Sequence, residues 1–265
     1  MRNLLLFGQA RHAALFLAAV AAGSVNAIAG GGTLLSFPAA IAWGLPSTIA
    51  NATNAVALSP GSLSAAWAYR RELRAEWRLA AALAGPALVG GWLGALILRH
   101  TSERTFDVLI PWLVLGATLL ILIQGLRKRP PAIEAPRVRP EPTKRHLAVV
   151  MLCQLGVGIY GGYFGAAMGI VMLAFLAIVL PDDIQRRNGL KNFLAVLING
   201  TASVYFIAAG LVDVRAGAVM MGGAITGGFV GGRLARRASA KVVRNIVVAI
   251  GLGLSALLGW RAFSK

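Results

Sequence analysis

The sequence predicts an all-α polytopic membrane protein built from two homologous halves. Three observations carry that prediction. Of its 265 residues, 57% are hydrophobic and 13% charged, about half the ~25% charged share of an ordinary soluble domain. The charges cluster between apolar runs, several long enough to cross a ~30 Å hydrocarbon layer at ~20 residues per helical span. The order of runs then occurs twice.

The first run, Ala13–Gly44, carries no charge and is too long for one straight span. It is interrupted by Asn26 and by Gly30-Gly31-Gly32-Thr33. Glycine costs ~1 kcal/mol per position relative to alanine inside a helix, so three in succession favour unwinding. Ile49–Tyr69, Leu79–Leu98 and Val108–Leu126 follow, each of spanning length. Residues 127–146 then mix Lys and Arg with five prolines. That composition cannot bury an apolar face and reads as a linker. Beyond it Leu147–Leu180 is again long and uncharged, broken by glycines at 161, 162, 165 and 169. Phe193–Val212, Ala216–Gly232 and Val242–Trp260 complete the chain. The organisation is therefore a first repeat at 1–126, a basic Pro-rich cytoplasmic linker at 127–146 and a second repeat at 147–265. Each repeat holds a broken helical hairpin and three spanning helices.

A shift of 138 positions pairs Gly31 with Gly169, Phe37 with Phe175 and Asn54 with Asn192. It also lays Gly90-x-x-x-Gly94 on Gly228-x-x-x-Gly232, a spacing that lets helix backbones approach closely. The shared order of long run, polar break and three spans outweighs any single identity. Two related halves joined by a basic linker are a usual transporter plan.

Charge decides how the broken runs sit. If each returns to its starting side, the halves are inverted repeats, and nineteen basic residues (70–78, the linker, 186–191, 233–244) face seven. If each crosses once, the division is sixteen against ten. The positive-inside rule selects the return, with the linker cytoplasmic. Arg2 followed by an apolar stretch imitates a secretory signal; the matching segment in the second half argues for a membrane run instead.

Unwound backbone within a bilayer is tolerated only where protein buries it or water reaches it. Two breaks at equivalent places therefore predict a shared central cavity. Gly30, Gly31, Gly32 and Thr33 can offer backbone N–H groups to an anion at the start of a half-helix, with Gly165 at the second break. Tight helix packing is the bland alternative for these glycines. Asn26, Asn51, Asn54, Asn188 and Asn192 are amide donors that hold a solute without a full buried charge, or helix caps. Lys191 is a fixed positive charge near the second group, or a side chain reaching for headgroups.

The same features exclude other classes. A net charge of +17 suggests nucleic acid, but its division among loops matches membrane topology, so no nucleic-acid partner is expected. The one cysteine, Cys153, and three histidines give no metal spacing, and no cofactor is implied. All nine carboxylates fall in loops or at run ends, whereas proton relays sit within the membrane. No buried nucleophile and base constellation marks an enzyme. A channel would share the same lining, and a homodimer is compatible with the pattern.

Gly23-Ser-Val-Asn-Ala-Ile-Ala-Gly-Gly-Gly-Thr-Leu-Leu-Ser-Phe-Pro38, Gly44-Leu-Pro46, Ala50-Asn-Ala-Thr-Asn54 and Gly61-Ser-Leu-Ser-Ala65 resemble the sulfite exporter TauE/SafE family, also called the four-toluene sulfonate uptake permeases. The second half is similar at Gly158–Gly169 and Asn188–Asn192. The resemblance implies a multi-pass permease of the bacterial inner membrane that moves a small sulfur-containing anion, such as sulfite or a sulfonate, by alternating access. An anion channel, or a permease for another small solute, is the alternative reading.

Overall fold

Helix after helix is what apolar runs bounded by glycine, proline and charge should give, because only a helix satisfies every backbone group internally in lipid. The computed structural model describes residues 2–28, 31–126, 144–180, 184–234 and 240–263, and contains eleven helices and no strand among them. In order they are α1 (Arg2–Ile28), α2 (Thr33–Trp43), α3 (Ser47–Ala68), α4 (Arg70–Ala75), α5 (Trp77–His100), α6 (Glu103–Leu126), α7 (Lys144–Tyr163), α8 (Met168–Val179), α9 (Ile184–Ala208), α10 (Val214–Leu234) and α11 (Ala240–Phe263). Four are long and apolar enough to cross a membrane: α5, α6, α7 and α9.

The 138-residue shift carries α3 to 185–206 and α6 to 241–264, within two residues of α9 and α11. α1, α2 and α5 match α7, α8 and α10 to within four residues; α4 has no helical counterpart. Among the boundaries that differ from the hydropathy reading, two lie in the second repeat. α9 begins at Ile184 rather than near 193, because Arg186, Arg187 and Lys191 lower the apolar average without breaking the helix. α7 begins at Lys144, taking the last residues assigned to the linker.

Contacts fix the directions. α2 turns back along α1: the backbone at Gly32 abuts Ala22, and the Arg11 guanidinium donates to the carbonyl of Trp43. α3 then runs beside α2, with Ser36 bonded to Asn54. α1 and α10 are parallel, Gly223 meeting Phe16 and Gly227 meeting Val20. α5 and α7 are parallel as well, Gly90 meeting Leu155 and Gly94 meeting Ile159. α3 and α9 are antiparallel, joined at Ser62 and Asn199, while Asp213, in the connection that follows α9, reaches Thr53 near the start of α3. α6 and α11 are antiparallel too, through Pro111 with Ser255 and Thr118 with Gly251.

Each repeat's first helix thus packs against the third long helix of the other repeat, α1 on α10 and α7 on α5. The halves interlock rather than fold side by side. Lipid tails are as apolar as leucine, so helix association rests on close backbone approach. The first repeat uses the predicted pair, Gly90 and Gly94, each filled by the α7 backbone. The second uses Gly223 and Gly227 against α1; Gly228 faces open space, and the surroundings of Gly232 lie outside the described residues. The packing pair of the second repeat therefore lies five residues before the one the sequence reading named.

The directions sort the described basic side chains. Arg70, Arg71, Arg74, Arg78, Arg145, Arg186 and Arg187 gather at one end, with Arg11, Arg99, Arg104 and Arg215 at the other.

Candidate functional site

The first break is built around Gly31, whose φ of +92° only glycine adopts freely. Asn26, one turn before the end of α1, turns its Oδ1 to accept from the Gly32 N–H at 2.7 Å. An amide oxygen there satisfies one of the orphan donors that begin α2. The Ser36 hydroxyl, fully buried one turn into α2, donates at 2.5 Å to the Asn54 Oδ1. Two amide acceptors are thereby occupied, which leaves the Nδ2 groups of Asn26 and Asn54 as donors without a partner among the described residues. Thr33 opens α2 half-buried.

This takes Gly32 out of the expected glycine nest. The Gly32 N–H goes to Asn26 rather than to a guest, and Gly30 lies outside the described residues.

The second break is held differently. Gly165 has φ +75° and donates its N–H to the Tyr160 carbonyl at 3.1 Å, while the Tyr160 hydroxyl donates to the Ala166 carbonyl at 2.6 Å. Gly165 therefore closes a turn and offers no free N–H to a solute. Asn51 donates to the Tyr163 carbonyl at 2.8 Å, tethering the first turns of α3 to this break.

Neither Asn51 nor Asn54 caps α3. That helix starts at Ser47, and the Glu103 carboxylate accepts from the backbone N–H groups of Ser47 and Thr48 while Asp107 accepts from the Ser47 hydroxyl. These carboxylates stand in the first turns of α6. Sequence reasoning missed them and Ser36, since a lone serine in an apolar half-helix gives no signal before its partner is placed.

Asn188, Lys191 and Asn192 lie within α9, past its first turn, half-buried. The Lys191 chain crosses the second residue of α8: a Cβ on Gly169 would meet its Cδ at 3.2 Å. No carboxylate pairs with Lys191 among the described residues, and Asn188 and Asn192 have no hydrogen-bond partner there.

The turns of the two breaks lie against different parts of α6. The Phe106 ring packs on Tyr163 and Phe164 of the second break, whereas Gly31 of the first lies against Ile121. Residues 106 and 121 are separated along α6 by ~22 Å at ~1.5 Å per residue. Between the repeats Phe37 and Phe164 stack edge to face at 5.5 Å, and with Phe106 they form a buried aromatic layer. Asn51, one turn before Asn54 on α3, links the first break's amide cluster to the second break through its bond to the Tyr163 carbonyl.

The comparisons fit this picture. The family model described as Sulfite exporter TauE/SafE matches residues 15–258. A probable membrane transporter protein of Haemophilus influenzae is 25% identical over 258 residues, covering 95% of this chain and 97% of its own. The probable membrane transporter protein YfcA of Escherichia coli K12 is 29% identical over 254 residues, covering 92% and 88%. The probable membrane transporter protein ORF9 of a Sinorhizobium species is 27% identical over 241 residues, covering 91% and 89%. No solved structure matches the chain.

Proposed function

The chain belongs to the sulfite exporter TauE/SafE family of membrane transporters, and from that premise we propose that it carries a small sulfur-containing anion across the bacterial inner membrane by alternating access, without chemistry on the solute. The observation that carries the reading is Lys191. Its ammonium is attached eight residues into a spanning helix, its stem lies over the start of α8, and no carboxylate answers it among the described residues. A cation inside a membrane costs at least ~2.5 kcal/mol even on the lenient insertion scales. The first N–H groups of α8 add partial positive charge nearby. An anion relieves both, and the unpartnered amides of Asn188 and Asn192 supply directional bonds to its oxygens. Asn26 and Asn54 are the corresponding donors of the first repeat, with Thr33, Gly31 and Gly32 shaping the backbone around them.

The antiparallel pairing of α3 with α9 and of α6 with α11, each with its own counterpart, supports inverted repeats. A two-fold axis along the membrane normal would make counterparts parallel. The crowding of basic side chains at the α4 end supports a cytoplasmic location for that end. The buried aromatic layer of Phe37, Phe106 and Phe164 favours a gated carrier over an open channel.

The test is flux into liposomes holding the purified protein, with sulfite, thiosulfate, sulfonates and sulfate offered with and without an imposed potential. We expect saturable movement of one class, and Lys191→Met to lower it by tenfold or more while Lys191→Arg retains part. Wild-type flux in Lys191→Met at normal expression would overturn the proposal.

A further inference from the structure

Gln154 stands in the middle of α7, fully buried, and neither its Nε2 nor its Oε1 has a hydrogen-bond partner among the described residues. A primary amide shut away from water without partners is destabilising, and an apolar side chain of similar shape would serve packing better. Repeat symmetry does not demand it: the 138-residue shift brings Gln154 to Phe16, whose ring reaches the surface. The amide is peculiar to the second repeat, as is Lys191, whose counterpart is Thr53.

Helix register brings the two together. A Cβ on Gly161 would meet the Ile198 side chain of α9 at 2.9 Å, and Gly161 also touches Met168, the first residue of α8. α7 and α9 run the same way, because α7 is parallel to α5, and α5 and α9 both run antiparallel to α3. Two turns back from Gly161 on α7 is Gln154; two turns back from Ile198 on α9 is Lys191. They stand at one depth on the two helices that flank α8, and the Lys191 stem crosses α8 at Gly169.

We infer that Gln154 is a specificity-determining residue of the second-repeat site, selecting a singly charged oxyanion that keeps one proton. This rests on the reading of Lys191 as the anion's counter-charge. One cation balances one negative charge. The Gln154 Nε2 donates to a bare oxygen, and its Oε1 requires a donor, which an O–H of the solute supplies and a fully deprotonated or alkylated sulfur oxyanion does not. Discrimination of this kind is strong, because a buried polar group left unpaired by the wrong solute raises its cost of binding.

Binding to purified protein tests this with hydrogensulfite, kept on the acidic side of neutrality, and methanesulfonate, a monoanion with no O–H. Wild type is expected to prefer hydrogensulfite by about tenfold or more. Gln154→Leu should reduce hydrogensulfite to the level of methanesulfonate, and its solute-free melting temperature should equal or exceed that of wild type. A retained preference in Gln154→Leu, or a melting temperature several degrees lower with binding unchanged, overturns the inference. Lys191→Met separates the two readings: if it abolishes binding of both probes while Gln154→Leu keeps the preference, the anion site stands and Gln154 is only a packing residue. If Lys191→Met binds both as wild type does, the site itself is misplaced and the inference falls with it.

Discussion

Arg186 brings a guanidinium nitrogen to 2.8 Å from a carboxylate oxygen of Glu76, tying the first turn of α9 to the residue that opens α5. Around this bridge α4 lies on α9, Gly189 fitting against the backbone of Tyr69 and Leu73. The second repeat has no such tie, since the shift replaces Glu76 by Val214. α4 thus covers the end of α9 that carries Asn188 and Lys191.

The Arg186 side chain is 37% exposed, so the pair should contribute no more than about 1 kcal/mol and be weakened by salt. Glu76→Gln is expected to lower the melting temperature slightly at low ionic strength and less at high. The reversed pair, Glu76→Arg with Arg186→Glu, should recover part of the loss. Equal melting of Glu76→Gln and wild type at both salt levels would show that the contact is not stabilising.

Two neighbouring glycines on α10 should respond oppositely. A methyl on Gly227 collides with the Val20 carbonyl of α1, whereas a methyl on Gly228 meets nothing within 4 Å. Gly227→Ala is expected to cost about 1–3 kcal/mol through forced separation of the helices. Gly228→Ala should be neutral or stabilise by up to ~1 kcal/mol, the helix-propensity gain. Detergent-resistant melting of the two variants decides it; a larger loss for Gly228→Ala would mean the register is wrong.

What the sequence disclosed and what it withheld divide along physical lines. Gly30 to Gly32 marked the first break because backbone preference is local, and the repeat marked the second. The positive-inside count pointed to the return of α2 along α1, but the contact of Arg11 with Trp43 that accompanies it joins residues 32 apart, which hydropathy does not register. The start of α9 was obscured because Arg186, Arg187 and Lys191 read as loop, although Glu76 and the start of α8 give two of these side chains a place beside a helix. Asn26 and Asn54 were legible as polar residues in apolar surroundings. That their oxygens would be taken by Gly32 and Ser36, leaving only the amide N–H groups, required the fold. That the turns of the two breaks lie against different parts of α6 followed from helix length and direction, which no single motif encodes.

Asn26 offers a clean separation of capping from solute binding. Its Oδ1 accepts from the Gly32 N–H while its Nδ2 stays unpartnered among the described residues. Asn26→Asp keeps the acceptor and removes the donor, so stability should hold while solute affinity falls. Asn26→Ala removes both and should also cost ~1 kcal/mol, the usual worth of a lost cap at a helix start. Thermal unfolding with and without solute distinguishes them; full affinity in Asn26→Asp would confine the residue to capping.

The last prediction concerns the aromatic layer. Phe37 belongs to the half-helix of the first repeat and Phe164 to the break of the second, and their edge-to-face contact at 5.5 Å is one place where the two repeats' broken segments touch directly. Both rings are buried, and Phe106 backs Phe164 from α6. If the repeats move against each other to alternate access, this contact must part and reform in every cycle, and while it is closed it bars the solute. Phe164→Ala should remove the bar and leave a cavity, with a stability loss of about 3–5 kcal/mol. The milder Phe164→Leu should keep the fold while loosening the seal. The expected result for Phe164→Leu is faster passive leak of the transported anion down its gradient, with weaker saturation than in wild type. Flux that stays saturable, with leak no greater than in protein-free liposomes, would show that the rings serve packing alone.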